Sequence, residues 1–325
     1  MADGMKRLVW VVAVLLGVSI ALGAVGGCGK GGKDGGTAGK KDPSGVEVIS
    51  AGDEPRTELR WTASVGDVWR VTMSMDMTSK VKNAEVDEPG SLAMPVIETA
   101  MDVTVKGVEA DGTMSLLYSV GEMNAKKKEG VTLMMLGVMQ RSLQQMRGMS
   151  ANVRMSGVGK TEFSAWSTPE GLDPNVAALM NDSMKNAEQF VAMFPLQPVG
   201  VGAKWRTAGP LTVGGMTIDQ VQEFTVNRID SDGGVELAVT VTQSAKEQDL
   251  VIPGMATADM KMRVLSMSGT SSGTMKIQRG MPMAKDSTLR GTSQQKQRIT
   301  IGGESSEIDQ TTDLEVKVKT ERKGG

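Results

Sequence analysis

A chain of 325 residues with 36 lysines and arginines against 38 aspartates and glutamates carries a net charge of −2, so no strong attraction to nucleic acid is expected. It has no histidine and one cysteine, which excludes Ser-His-Asp and Cys-His nucleophilic sites and all histidine-ligated zinc. Aromatic residues make up only 3%, and 26 methionines take their place as core material.

The chain begins with Lys6 and Arg7, diluted by Asp3, and continues as an almost wholly apolar run from Leu8 to Val25. Gly26 and Gly27 follow, completing the layout of a secretory signal peptide. The run is also near the lower length limit of a membrane-spanning helix, so a retained anchor is physically possible. The next residue decides between them. Val25-Gly26-Gly27-Cys28 resembles the bacterial lipobox, with Val leading where Leu is commoner. A lone cysteine in an exported chain is a free thiol, pairs with another chain, or is modified. Lipidation at Cys28 explains its position, its solitude and the small residues before it together. Several acyl chains anchor far more firmly than one, at about 0.8 kcal/mol per buried CH₂. By the same resemblance, the absence of Asp at Gly29 implies sorting to the outer membrane.

Gly29 to Gly45 (GKGGKDGGTAGKKDPSG) has no apolar periodicity and reads as a solvated tether. The expected organisation is a signal peptide over 1–27, lipidated Cys28 with its tether over 28–45, and a single β-rich domain over 46–325.

From Trp69 the apolar residues fall on every second position (Trp69, Val71, Met73, Met75, Met77), the pattern of a strand with one wet face. Met101, Val103 and Val105 continue it. Glu109-Ala110-Asp111-Gly112 reads as a turn, and Met114, Leu116, Tyr118 and Val120 alternate again, which predicts a hairpin. That hairpin occurs twice. "MDVTVKGVEADGTMSLLYSV" (101–120) aligns without gaps on "QEFTVNRIDSDGGVELAVTV" (222–241), and "VGDVWR" (65–70) is echoed by "VGAKWR" (201–206). Duplication, with halves at about 57–123 and 195–247, accounts for both echoes better than the alternation and Asp-Gly turn shared by unrelated hairpins.

Thr132 to Met149 has apolar residues near helical spacing. A second helix is expected to open at Asp173-Pro174 and carry a stripe from Val176 through Val191 to Phe194, with Pro195 stopping it. Further alternating pieces follow at Met260/Met262/Val264, Met275/Ile277, Ile299/Ile301 and Leu314/Val316/Val318, ahead of no other membrane-length apolar run. The predicted class is α+β: a large curved antiparallel sheet, open to a half-barrel form, with two helices covering one face and an internal hairpin duplication.

Leu59 to Val318 resembles an uncharacterised family of bacterial lipoproteins, a domain of unknown function. The resemblance rests on "LRWTASVGDVWRV" (59–71), "MFPLQPVGVGAKWR" (193–206) and the Gly273-Thr-Met-Lys-Ile277 strand with Gly280. It implies export, lipidation and a β-rich domain, and it transfers no catalytic residue.

The remaining motifs fail as chemistry. "VGKT" (158–161) lacks the first glycine of a phosphate loop, whose place is taken by Arg154. "GVGAKW" (200–205) lacks the third glycine of a dinucleotide fingerprint. Ser79-Lys80-Val81-Lys82 matches S-x-x-K, but no S-D-N or K-T-G follows and the motif is expected at a strand end. Asp230 and Asp232 begin like a calcium loop, yet Gly234 holds the third ligand position, which leaves them as turn residues. Met73/Met75/Met77, Met260/Met262 and Met281/Met283 offer thioethers to Cu(I), but alternate strand positions are also where core residues sit. The reading is therefore not an enzyme, with no cofactor and no metal, on a membrane through its lipid. The leading role is a non-enzymatic envelope lipoprotein, structural or part of an assembly. The alternatives are carriage of an apolar ligand and, more weakly, Cu(I) binding through methionines.

Overall fold

The computed structural model describes residues 42–83, 90–164, 166–167, 191–213, 215–250 and 260–324. Among these residues, fourteen antiparallel strands form one large curved sheet that no ladder closes. They are β1 Glu47–Ser50, β2 Val68–Asn83, β3 Gly90–Ala93, β4 Val96–Val108, β5 Met114–Lys126, β6 Ser150–Met155, β7 Thr161–Phe163, β8 Lys204–Val213, β9 Met216–Ile229, β10 Val235–Ala245, β11 Gln248–Leu250, β12 Met260–Ile277, β13 Asp286–Ile301 and β14 Glu304–Arg322. The spatial order is β1-β8-β9-β10-β12-β13-β14-β2-β4-β5-β6-β7, with β3 on β2 and β11 on β12.

The strands form where the period-2 pattern places them. In β10 every odd position from Val235 to Ala245 is buried and the even ones are wetter; β13 alternates in the same way from Ser293 to Ile299. The buried face looks inward, and strands far apart in the order share one core through it. Val103, Val105 and Leu116 belong to the same cluster as Trp205, Phe224 and Leu237. A second apolar cluster, with Met262, Val264, Ile299 and Ile308, occupies the other end of the long strands.

One α-helix stands among the described residues, α1 over Leu133–Gln144. Thr132 caps it, its side chain accepting the Met135 N–H at 3.2 Å. The helix lies along the end of β5 that β6 leaves unpaired, where Gln140 Oε1 accepts the Ala125 N–H at 2.7 Å. Its inward side, with Met135, Met139 and Leu143, packs on Met75, Met77 and Ile97. Residues 173–190 of the second expected helix lie outside the described residues. Its expected last turn is corrected: Val191–Phe194 is not helical, and Phe194 donates its N–H to the Val158 carbonyl at 2.9 Å instead. The large curved antiparallel sheet of the expected α+β class is present, and the described residues are mostly antiparallel strand with one helix.

The two echoed hairpins are built alike. Trp69 faces Val103 in the ladder as Trp205 faces Phe224, and Arg70 faces Asp102 as Arg206 faces Glu223. Each hairpin shifts register at the same place, between Val105 and Gly107 and between Glu236 and Leu237. Gly66 donates to the Val105 carbonyl at 2.9 Å, and Gly202 donates to that of Val226 at 2.8 Å.

Candidate functional site

Two features of the interior stand out: a sealed end and a polar row. The sealed end is made by the segments preceding β2 and β8. Thr57 and Val199 exchange backbone hydrogen bonds at 2.9 Å, and Trp61 N–H reaches the Gly157 carbonyl at 2.7 Å. Both indoles in this layer are satisfied. Trp61 Nε1 donates to the Ala192 carbonyl at 2.9 Å and Trp205 Nε1 to that of Met193 at 2.8 Å. Trp61 packs on Phe194 with ring centroids 5.0 Å apart, and Trp205 stacks on Phe224 at 5.5 Å. The segments approach so closely that a Cβ on Gly200 would stand 1.7 Å from the Asp53 carbonyl oxygen. The "MFPLQPVGVGAKWR" stretch is thus spent on sealing this end. The described chain also enters here, where Asp42 Oδ2 accepts the Leu196 N–H at 3.1 Å.

The polar row crosses the inner face between the two apolar clusters. Gln220, Gln243, Gly269, Ser293, Thr312 and Ser79 stand opposite one another in turn on β9, β10, β12, β13, β14 and β2. Gln295 and Gln310 form the next pair along, and Gln297 follows. All five glutamines are buried. Some bonds are made: Gln243 Nε2 to Gln220 Oε1 at 2.7 Å, Ser79 to Thr312 at 2.8 Å, and Gln310 Nε2 to Ser79 Oγ at 3.2 Å. Others are not. Among the described residues, neither amide atom of Gln295 or Gln297 has a partner, and Gln220 Nε2 and Gln310 Oε1 have none either. Each such group costs about 1–3 kcal/mol.

The titratable groups lie elsewhere. Arg70 donates to Asp102 at 3.0 Å, Arg206 to Glu47 at 2.8 and 2.9 Å, and Arg298 to Glu307 at 2.6 Å. Burial pushes the Asp102 carboxyl up, but hydrogen bonds from Arg70 and Lys323 outweigh it and hold the group below its ordinary value. Hydrogen bonds from Arg298 and Lys296 hold Glu307 low. Burial pushes the Tyr118 phenol up. A polar groove of about 580 Å³ opens outward over Asp76, Thr78, Arg290, Thr292, Asp313 and Glu315. Among the described residues, no three histidine, cysteine, aspartate or glutamate side chains group as a metal site.

The sequence-level candidates separate in the structure. Cys28, with the signal and tether, lies outside the described residues. Ser79-Lys80-Val81-Lys82 occupies the C-terminal end of β2, where Ser79 faces inward and Lys82 is exposed; a three-residue spacing puts them on opposite faces. Asp232 Oδ1 accepts the Gly234 N–H at 3.0 Å and Asp230 pairs with Arg228 at 2.7 Å, as turn residues do. The methionine groups fall into three different clusters: Met75 and Met77 beneath α1, Met262 at the far end, and Met281 near the sealed end.

Residues 179–281 match the model of a family of unknown function, DUF6263. The matched stretch includes the Phe194–Trp205 seal, β8 to β10 and β12. No curated protein matches the chain. Among solved structures, one of lipid–protein interactions in lipovitellin aligns with 80% of this chain at 11% identity and a TM-score of 0.41. The chain spans 25% of that lipovitellin chain. A loop-deletion mutant of the outer membrane protein OmpT of Vibrio cholerae aligns with 76% of this chain and 99% of its own, at 6% identity and a TM-score of 0.20. OccK11 (OpdR) of Pseudomonas aeruginosa aligns with 82% and 100%, at 7% identity and a TM-score of 0.18.

Proposed function

We propose that this chain is a non-enzymatic cell-envelope lipoprotein, anchored through Cys28, whose domain stands in water as a preformed body for contacts with other envelope components. The observation that carries this reading is the division of the long strands. Outward positions of β12 to β14 carry Lys261, Arg263, Arg290, Lys296, Arg298, Glu307, Asp309 and Lys317, while Met262, Val264, Leu289, Ile299 and Val316 face inward. A strand that crosses a bilayer needs apolar residues outward instead. The lipid supplies the attachment that such a charged body lacks. The halves at 57–123 and 195–247 are a duplicated unit, a reading supported by their shared register, bulge position and turn bonds. An outer-membrane address follows from Gly29 beside the anchor.

A second reading, carriage of a small molecule, is favoured by the neutral polar row inside the sheet. The test of the first is the intact mass of the full chain after expression in a bacterial envelope. The expected mature species begins at Cys28 and carries diacylglycerol and a further acyl group, and Cys28→Ser lacks both and leaves the membrane fraction. A mature wild-type mass without acyl groups contradicts the proposal.

A further inference from the structure

The middle of β12 and β13 presents almost nothing to the interior. Gly269 stands opposite Ser293 and Ser271 opposite Gly291, so four adjacent inward positions hold no side chain larger than a hydroxymethyl group. Gly269, Ser271 and Gly291 are only half-buried, although Met267, Met275, Leu289 and Ile299 on the same faces of the same strands are buried. The sheet is therefore least filled over this floor. Beside it stand Gln243 on β10 and Gln295 on β13, with Gln310 and Gln297 next in the row. Among the described residues nothing pairs with either amide atom of Gln295 or Gln297, although those side chains are 3% and 1% exposed.

We propose that this floor and its glutamines form an internal site for an uncharged ligand bearing both hydrogen-bond donors and acceptors. The chemistry of the lining selects that class. Apart from the exposed Glu304 and Arg322 at the two ends of β14, the inner faces of β9, β10, β12, β13 and β14 carry no lysine, arginine, aspartate or glutamate, so a charged ligand in the middle of the sheet would lie there uncompensated. A purely apolar ligand would leave the amides unpaired, which is costly in a dry interior. Each amide offers one acceptor oxygen and a donating NH₂ group, the complement of an amide or polyhydroxyl compound. Alternation explains why these positions hold glutamine at all: each occupies a place in the strand where leucine or valine would pack, and Leu289 and Ile299 do so at either end of the same row on β13.

The full chain, purified from a bacterial envelope and then denatured, is tested by identifying the small molecules it releases by mass spectrometry. Wild type is compared with Gln295→Leu/Gln297→Leu and with Gln294→Leu, an exposed control on the other face of β13. The expected result is an uncharged polar compound at close to one per chain in wild type and in the control, reduced at least tenfold in the double variant. The emptied double variant is expected to melt at or above the emptied wild type, which separates loss of a ligand from loss of the fold. Release of nothing but water, of only charged or only hydrocarbon compounds, or of equal amounts from the double variant overturns the proposal.

Discussion

The two echoed halves share a backbone frame and use it differently. In the second, Trp205 is fully buried, stacked on Phe224, and its indole N–H is bonded to Met193. In the first, Trp69 faces the smaller Val103, its buried Nε1 has no partner among the described residues, and the Arg322 guanidinium lies 5.8 Å from the ring. The difference follows from what each strand has beside it. β8 is covered by the Val191–Val199 segment, which supplies a carbonyl, whereas β2 lies against β14, whose backbone groups are committed to the ladder. A repeated register thus fixes where a tryptophan stands, and the neighbour decides whether it seals an end or only fills space.

The largest effect expected from this contrast is on the tryptophans. Trp205→Ala should cost about 3–5 kcal/mol in denaturant unfolding, the usual loss for a buried indole. Trp69→Ala should cost at least about 1 kcal/mol less, because it also removes a buried N–H that has no partner. Equal losses would break the comparison. The hairpin turns should behave as equals. Gly112 and Gly233 both have φ of +82°, so Gly112→Ala and Gly233→Ala should each cost about 1–2 kcal/mol, with thermal midpoints falling together. The smallest effect concerns acid. The folded-state pKa of Asp102 is depressed, so its contribution is complete above the ordinary carboxylate range and is lost as pH falls through the folded value. Asp102→Asn should therefore flatten the decline of the melting midpoint below about pH 4, and leave its slope near neutrality unchanged.

Much of the fold is legible in the sequence because a half-buried strand writes its faces in a period of two. Trp69 to Met77, both hairpins and their Asp-Gly turns stand where the alternation puts them. The polar row was not legible for the same reason. In "TSQQKQRIT" (292–300) both phases are polar, so Ser293, Gln295 and Gln297 are indistinguishable from the wet face; the one available signal is that they share parity with Leu289 and Ile299. Val191–Phe194 misled in the opposite direction. A run buried on all sides carries no period, and its extended path depends on Val158, Trp61 and Trp205, contacts remote in sequence. Ser79 shows a third limit: a motif is defined by spacing, but its chemistry depends on the element it occupies.

The most direct test of a sealed, preformed interior is amide hydrogen exchange on the full chain, resolved to single residues. Trp61 and Phe194 lie outside every strand, yet their N–H groups are bonded across the sealed end to Gly157 and Val158. They should exchange as slowly as Val239 and Val241 at the centre of β10. Exchange of Trp61 and Phe194 at the rate of the Asp111 and Asp232 turns would show that the end stands open, and would contradict the account.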